Sequence, residues 1–187
     1  MSTVSLLSKS QAPITTRSFY AEETASPIIS SIAHVPELLL KSMPFIGQAL
    51  GPSSISFRNK EIMILRSSAK MSCNYCTNTH TVVSLQAGLT HDEILALRGE
   101  KDTNDVFGDA KERLLIAWTD AMSNGANSIS ADIKEQMKQH YSDAEIVEFS
   151  LCIGATIMLN RYATALSLPV DPEHILILNK YGFSIVS

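Results

Sequence analysis

Cys73 and Cys76 stand three positions apart, and His80 follows four positions later. On a helix, steps of three and four bring both thiols and the imidazole onto one face. Ser72 is placed to cap such a helix, which would put Cys73 in its first turn, where free backbone N–H groups and the helix dipole favour a thiolate. The imidazole lies one turn beyond Cys76, within reach of its proton. A thiolate that attacks the O–O bond of a peroxide becomes a sulfenic acid, and a second thiol three residues away can condense with it to a disulfide. Glu61 precedes Cys73 by twelve residues and falls on the preceding helix. It meets the imidazole only if a tight turn near Met71 folds the two helices together.

Each of these features has a plainer reading when taken alone. A close pair of cysteines also binds metal, a histidine on an apolar face is usually a hydrogen-bonded core residue, and a single Glu on a helix is usually a solvated charge. Cys73, Cys76 and His80 would make three metal ligands, but no fourth is evident nearby, whereas structural zinc sites are complete. A non-enzymatic oligomeric protein that senses oxidation through the same pair is a further alternative. Cys152, inside the most apolar stretch, reads as a small buried hydrophobe. Arg161 needs a carboxylate or carbonyl if buried, Trp118 reads as core, and His34, His91, His140 and His174 have no chemical partner nearby in sequence.

Apolar residues recur at spacings of three and four and seldom alternate, which predicts an all-α fold. A helix is expected over Pro36–Leu50, interrupted at Pro44 and ended by Gly51 and Pro52. The next begins near Asn59 and runs to Lys70, and another extends from Ser72 to Gly88. Thr90 to Glu93 reads as a capping box opening a short helix that ends at Gly99, followed by a polar loop from Glu100 to Gly108. Further helices are expected over Asp109–Asn124 and Ser130–Tyr141. Ser142 to Glu145 is a second capping box, opening the most hydrophobic helix, which stops before Pro169 and should form the centre of the domain or a subunit interface. A last helix starts at Asp171 and ends at Gly182.

The 187 residues fit one helical domain over 31–187, preceded by a polar arm over 1–30 that is either disordered or draped over a partner subunit. The net charge is −4, with 15 basic residues that never form a run, which argues against nucleic acid or an anionic membrane as partner. No stretch reads as an export signal or a membrane span. Three cysteines, two of them close-set, suit a reducing, cytoplasmic setting.

Taken together, Glu61, Cys73, Cys76 and His80 at these intervals resemble the alkylhydroperoxidase D-like branch of the carboxymuconolactone decarboxylase family. His34-Val35-Pro36-Glu37-Leu38-Leu39 before the motif agrees with this. So do Ala87 to Ile94 after it and Asn160 to Leu166 near the end; the resemblance spans about residues 33 to 171. It implies an alkylhydroperoxidase D-like helical bundle and thiol-dependent reduction of hydroperoxides. Glu61 would act on His80, His80 would deprotonate Cys76, Cys76 would attack the peroxide, and Cys73 would resolve the sulfenic acid. It also implies recycling by a dithiol reductant, no bound haem, flavin or metal, and a homo-oligomer, trimer or hexamer. Tyr75 stands between the cysteines where some members carry an additional His. The decarboxylase branch generally lacks the cysteine pair. Helix dipole and imidazole compete here: the dipole favours Cys73 by about 0.3–1 kcal/mol, whereas pairing with an imidazole can lower a thiol pKa by several units. Cys76 is therefore expected to be the more acidic thiol.

Overall fold

The computed structural model describes residues 2–125 and 128–187; Met1, in the expected arm, and Ala126 and Asn127, in the expected domain, lie outside the described residues. The helices are α1 (Pro27–Ile32), α2 (Pro36–Leu50), α3 (Phe57–Lys70), α4 (Asn74–Gln86), α5 (His91–Leu97), α6 (Thr103–Val106), α7 (Ala110–Ser123), α8 (Ala131–His140), α9 (Asp143–Ala165) and α10 (Pro172–Lys180). No strand occurs among the described residues. Local chemistry sets many of the starts. Thr90 and Ser142 each accept from the backbone N–H of the Glu three residues on, and Glu93 and Glu145 return bonds to the cap backbone. Ser56, Asp109, Ser130 and Asp171 cap their helices through single side-chain bonds.

The central element is α3, not the more hydrophobic α9. It packs against α4, α5, α7 and α9, and every residue from Lys60 to Leu65 is buried. Its charged residues before the last turn are paired with neighbouring elements. Arg66 grips Asp120 of α7 with two bonds of 2.6 and 2.7 Å, and the fully buried Lys60 ammonium reaches Ala49 O and Glu148 Oε1, each at 2.7 Å. Meanwhile α9 turns one side inward and leaves Val147, Leu151 and Met158 exposed.

Other differences from the sequence reading have local causes. Pro44 does not end α2: it is exposed, so the Leu40 carbonyl it leaves without a helical partner faces the solvent side. A single turn, α6, forms within the expected polar loop because Asp102 caps it. Part of the expected arm is helical, with a 3₁₀ segment at Ile14–Phe19 and α1. The segment lies on its own chain: Thr3 N donates to Leu166 O, Leu7 N to Ser30 O and Tyr20 OH to Leu7 O. Ala12 and Tyr20 bury themselves against Ala33 and Leu39.

Truncating Glu148 to Ala leaves the buried Lys60 ammonium with a carbonyl as its sole protein partner. The expected cost is about 2–3 kcal/mol in urea unfolding, the scale for stranding a buried charged group. Lys60→Met, which removes the charge but keeps the chain length, should cost less. A Glu148→Ala midpoint equal to wild type would show that the pair does not hold α9 to α3.

Candidate active site

The turn between α3 and α4 decides what the site residues can reach. α3 ends at Lys70, and Ser72 adopts φ of 53°, the left-handed geometry usual for glycine after a helix. Ser72 N donates to Ala69 O and Cys73 N to Ser68 O, each at 3.0 Å, closing α3 in a Schellman pattern. Ser72 is thus not the cap of α4. Cys73 takes that place, and its Sγ accepts the backbone N–H of Cys76 at 3.3 Å. The turn folds α4 back along α3, as the Glu61 contact requires.

His80 Nδ1–H then donates to Glu61 Oε2 at 3.0 Å, with Oε1 at 3.3 Å. The Glu61 side chain is 2 % exposed and that of His80 22 %. Burial works to lower the His80 pKa, but the charge of Glu61, its hydrogen bond and the charge on Cys73 outweigh it, and the net shift is upward from 6.5. With Nδ1 tied to the carboxylate, Nε2 is the nitrogen available for proton transfer.

The thiols divide unevenly. Cys73 falls from its ordinary 9.0 to about 7, chiefly through a hydrogen bond from the Cys76 thiol. The Cys76 backbone N–H, the Thr164 hydroxyl and the charge of His80 add to this against the opposing effect of burial. Cys76 is pushed up, because its proton is bonded to the Cys73 sulfur, and by burial and the neighbouring negative charge. Cys73 is thus the thiol pushed down and Cys76 the thiol pushed up. This reverses the expectation that His80 would make Cys76 the more acidic thiol. The spacing on the helix is as expected, but a sulfur that caps the helix gathers more donors than one inside its first turn.

Cavities meet the pair from two sides. Cys76 and His80 line one of about 230 Å³ with Ile28, Met43, Ile46 and Leu159. Cys73 lines another of about 360 Å³ beside Thr164 and Ser167 at the end of α9. Tyr75 borders both, and burial pushes its phenol up. Asn160 of α9, buried to 1 %, lines the Cys76 cavity and accepts from Ser68 Oγ at 3.1 Å. The residue-by-residue sequence reading assigned it no role, although an amide in the middle of so apolar a helix signals an internal partner. Among the described residues, no three His, Cys, Asp or Glu groups converge to hold a metal ion.

The remaining candidates lie elsewhere. Cys152 is fully buried, and its thiol is pushed up to about 12 by desolvation, so it stays protonated. Arg161 is exposed, and Trp118 belongs to the main core. His34 bonds Ser5 O at 2.9 Å, and His91 stacks on Phe183. His140 is exposed near the end of α8, and His174 lies in α10.

Residues 36–104, which include all four site residues, match the carboxymuconolactone decarboxylase family. No curated protein matches the chain. A solved protein of unknown function from Agrobacterium tumefaciens, named as an antioxidant-defence candidate AhpD, is 27 % identical; the match covers 75 % of this chain and 97 % of that one, with a TM-score of 0.65. An uncharacterized peroxidase-related protein from Ralstonia eutropha JMP134, with an alkylhydroperoxidase AhpD core, is 12 % identical over 94 % and 95 % of the two chains, at a TM-score of 0.81. The debrominase Bmp8, solved as a cysteine-to-alanine variant with 2,3,4-tribromopyrrole, is 17 % identical over 97 % and 100 %, at 0.76. The last two likenesses speak for the fold alone. No helix among the described residues is long and apolar enough to cross a membrane.

Replacing Glu61 by Gln removes the charge that does most to raise the His80 pKa and leaves burial opposed chiefly by the charge on Cys73. NMR titration of the ring should then show a pKa below 6.5, against one above 6.5 in wild type. Because the folded-state pKa is raised, the ion pair stabilises fully below about 6.5 and is lost as pH rises through the folded-state value. The stability gap between wild type and variant should therefore narrow at alkaline pH. An unchanged His80 titration would mean that Glu61 is not its partner.

Proposed function

We propose that this chain, which belongs to the carboxymuconolactone decarboxylase family in its alkylhydroperoxidase D-like branch, is a thiol-dependent hydroperoxide reductase. The observation that carries the reading is one cavity shared by Cys76 and His80, with Glu61 holding the imidazole from behind. A peroxide seated there meets a sulfur and an acid together. Cys76 attacks the near oxygen as its proton passes to the Cys73 thiolate. The O–O electron pair leaves on the far oxygen, which takes a proton from the His80 imidazolium. Cys73 then attacks the Cys76 sulfenic acid, and water departs as the disulfide forms. A dithiol reductant restores both thiols. The raised pKa of His80 makes the imidazole an acid toward the leaving oxygen, rather than the base for Cys76 that the family resemblance implies.

Position, and not acidity, assigns the attacking role to Cys76, because it is the sulfur that lines the His80 cavity. A second reading, removal of bromine from an aromatic ring, is favoured by the aliphatic walls of that cavity and by the full-length fold likeness to the debrominase.

Purified protein should consume alkyl hydroperoxide when supplied with a dithiol. Glu61→Gln should slow it by about 10²-fold, the lower end of what a general acid or base contributes. In Cys73→Ser, a dimedone-type reagent should trap sulfenic acid on Cys76. An adduct on Cys73 in Cys76→Ser would reverse the roles. Lack of turnover with every dithiol, alongside bromide release from 2,3,4-tribromopyrrole, would favour the second reading.

We also propose a homo-oligomer, trimer or hexamer. Val147, Leu151 and Met158 of α9 and Phe45 of α2 are exposed, and Phe45 and Leu151 line one cleft of about 280 Å³. Light scattering at micromolar concentration should give a multiple of the 20.4 kDa chain mass, and Leu151→Glu should lower it. A monomer mass for wild type would end the proposal.

A further inference from the structure

The cavity at Cys76 has a polar feature that the proton relay leaves unused. Asn160, on α9, lines it together with Cys76 and His80 of α4. Ser68 Oγ donates to its Oδ1 at 3.1 Å, which orients the amide. Its Nδ2, buried with the residue at 1 % exposure, has no hydrogen-bond partner among the described residues. Buried amide donors are nearly always paired, because leaving one unpaired sacrifices its bonds to water. The amide is instead held ready for something that enters the cavity.

We propose that Asn160 Nδ2 donates a hydrogen bond to the departing oxygen of the bound hydroperoxide. The inference rests on the peroxidase reading and adds a substrate-touching residue to it. As Cys76 sulfur bonds to the near oxygen, the O–O bond breaks and negative charge grows on the far oxygen. His80 supplies the proton that turns this oxygen into an alcohol. An amide does not give up its proton at neutral pH, so Asn160 stabilises the growing charge throughout and is unchanged at the end. It also supplies the cavity with a second fixed donor, so the peroxide is held by both oxygen-binding groups with its alkyl part against the aliphatic wall. Thr79 Oγ1 is also unpaired and lines this cavity, but a hydroxyl can rotate to a carbonyl of its own helix, as those of Thr81, Thr119 and Thr156 do. The Asn160 amide, tied at Oδ1, has no such recourse.

The test compares wild type, Asn160→Leu and Asn160→Ala, reduced and freed of reductant, in single-turnover oxidation by tert-butyl hydroperoxide and by hydrogen peroxide. Iodoacetamide alkylation of the same proteins is followed across pH in parallel. Alkylation forms a bond to carbon and has no oxygen leaving group, so it reads thiol acidity and access alone. The expected result is a loss of about 10²-fold in the peroxide rate constants, the lower end of the loss for one oxyanion donor, with alkylation rates and their pH midpoint unchanged. Peroxide rates equal to wild type in a folded variant overturn the proposal. Equal slowing of oxidation and alkylation also overturns it, since that marks a packing role. Should Asn160→Leu fail to fold, Asn160→Ala carries the comparison. Wild type inert to both peroxides overturns the peroxidase reading itself, an outcome distinct from active wild type with indifferent variants.

Discussion

A carboxylate 2 % exposed in the second turn of the central helix has to be held by something, and the Glu61–His80 contact holds it. An ionised group stranded in that interior would cost several kcal/mol, enough to offset much of a domain's stability. The imidazolium removes the problem only if α4 lies along α3 in one register. A slip of one residue along α4 would turn His80 by about 100° and strand the carboxylate. The Ser72 turn fixes that register by closing α3 in two backbone bonds and starting α4 at once. Fold and site therefore share one contact: whatever weakens the pair also releases the acid from the cavity.

The same logic explains how a helix carrying Arg58, Lys60, Glu61 and Arg66 can be the hub of the bundle. Each charge is matched by a different neighbour. Arg58 pairs with Glu93 of α5 and Glu112 of α7, Lys60 with Glu148 of α9, Arg66 with Asp120 of α7 and Glu61 with His80 of α4. Burying an ion pair is a weak source of net stability compared with burying an apolar pair of the same size. It is, however, selective, because a helix docked at the wrong angle leaves a charge unpaired.

The helical class and most boundaries were legible because the signals are local. Thr90 with Glu93, and Ser142 with Glu145, announce their helices through a few adjacent residues, and Cys76 and His80 follow the helical repeat, with Cys73 just ahead of it as the N-cap. What was not legible depended on tertiary surroundings. Hydrophobicity marked α9 as the centre of the domain or of a subunit interface; that α3 is the hub of the chain rests on pairing of its charges across four helices, which leaves no trace in a periodic pattern. Ser72 resembled an ordinary N-cap, and its left-handed geometry arises because α3 has to stop and α4 start within three residues. The order of thiol acidities failed for a related reason. Neither dipole nor imidazole is the strongest influence on Cys73; the neighbouring thiol is.

That influence bears on how one pair of sulfurs serves two steps in the proposed cycle. A thiol with a raised pKa is rarely ionised, yet its thiolate is the stronger nucleophile, with reactivity rising by roughly 0.4–0.5 log units per pKa unit. In the proposed cycle Cys76 reaches the reactive form by passing its proton to the neighbouring Cys73 sulfur. Cys73, lowered to about 7, is the better leaving group of the two. When a reductant opens the disulfide, acidity thus favours attack at the Cys76 sulfur with Cys73 expelled as the thiolate that the helix cap and Thr164 stabilise. The mixed disulfide would then form on the same sulfur and in the same cavity as the sulfenic acid. The displacement of the N-cap from Ser72 to Cys73 adds to the asymmetry between the thiols, because it gives the Cys73 sulfur the Cys76 backbone N–H as a further donor.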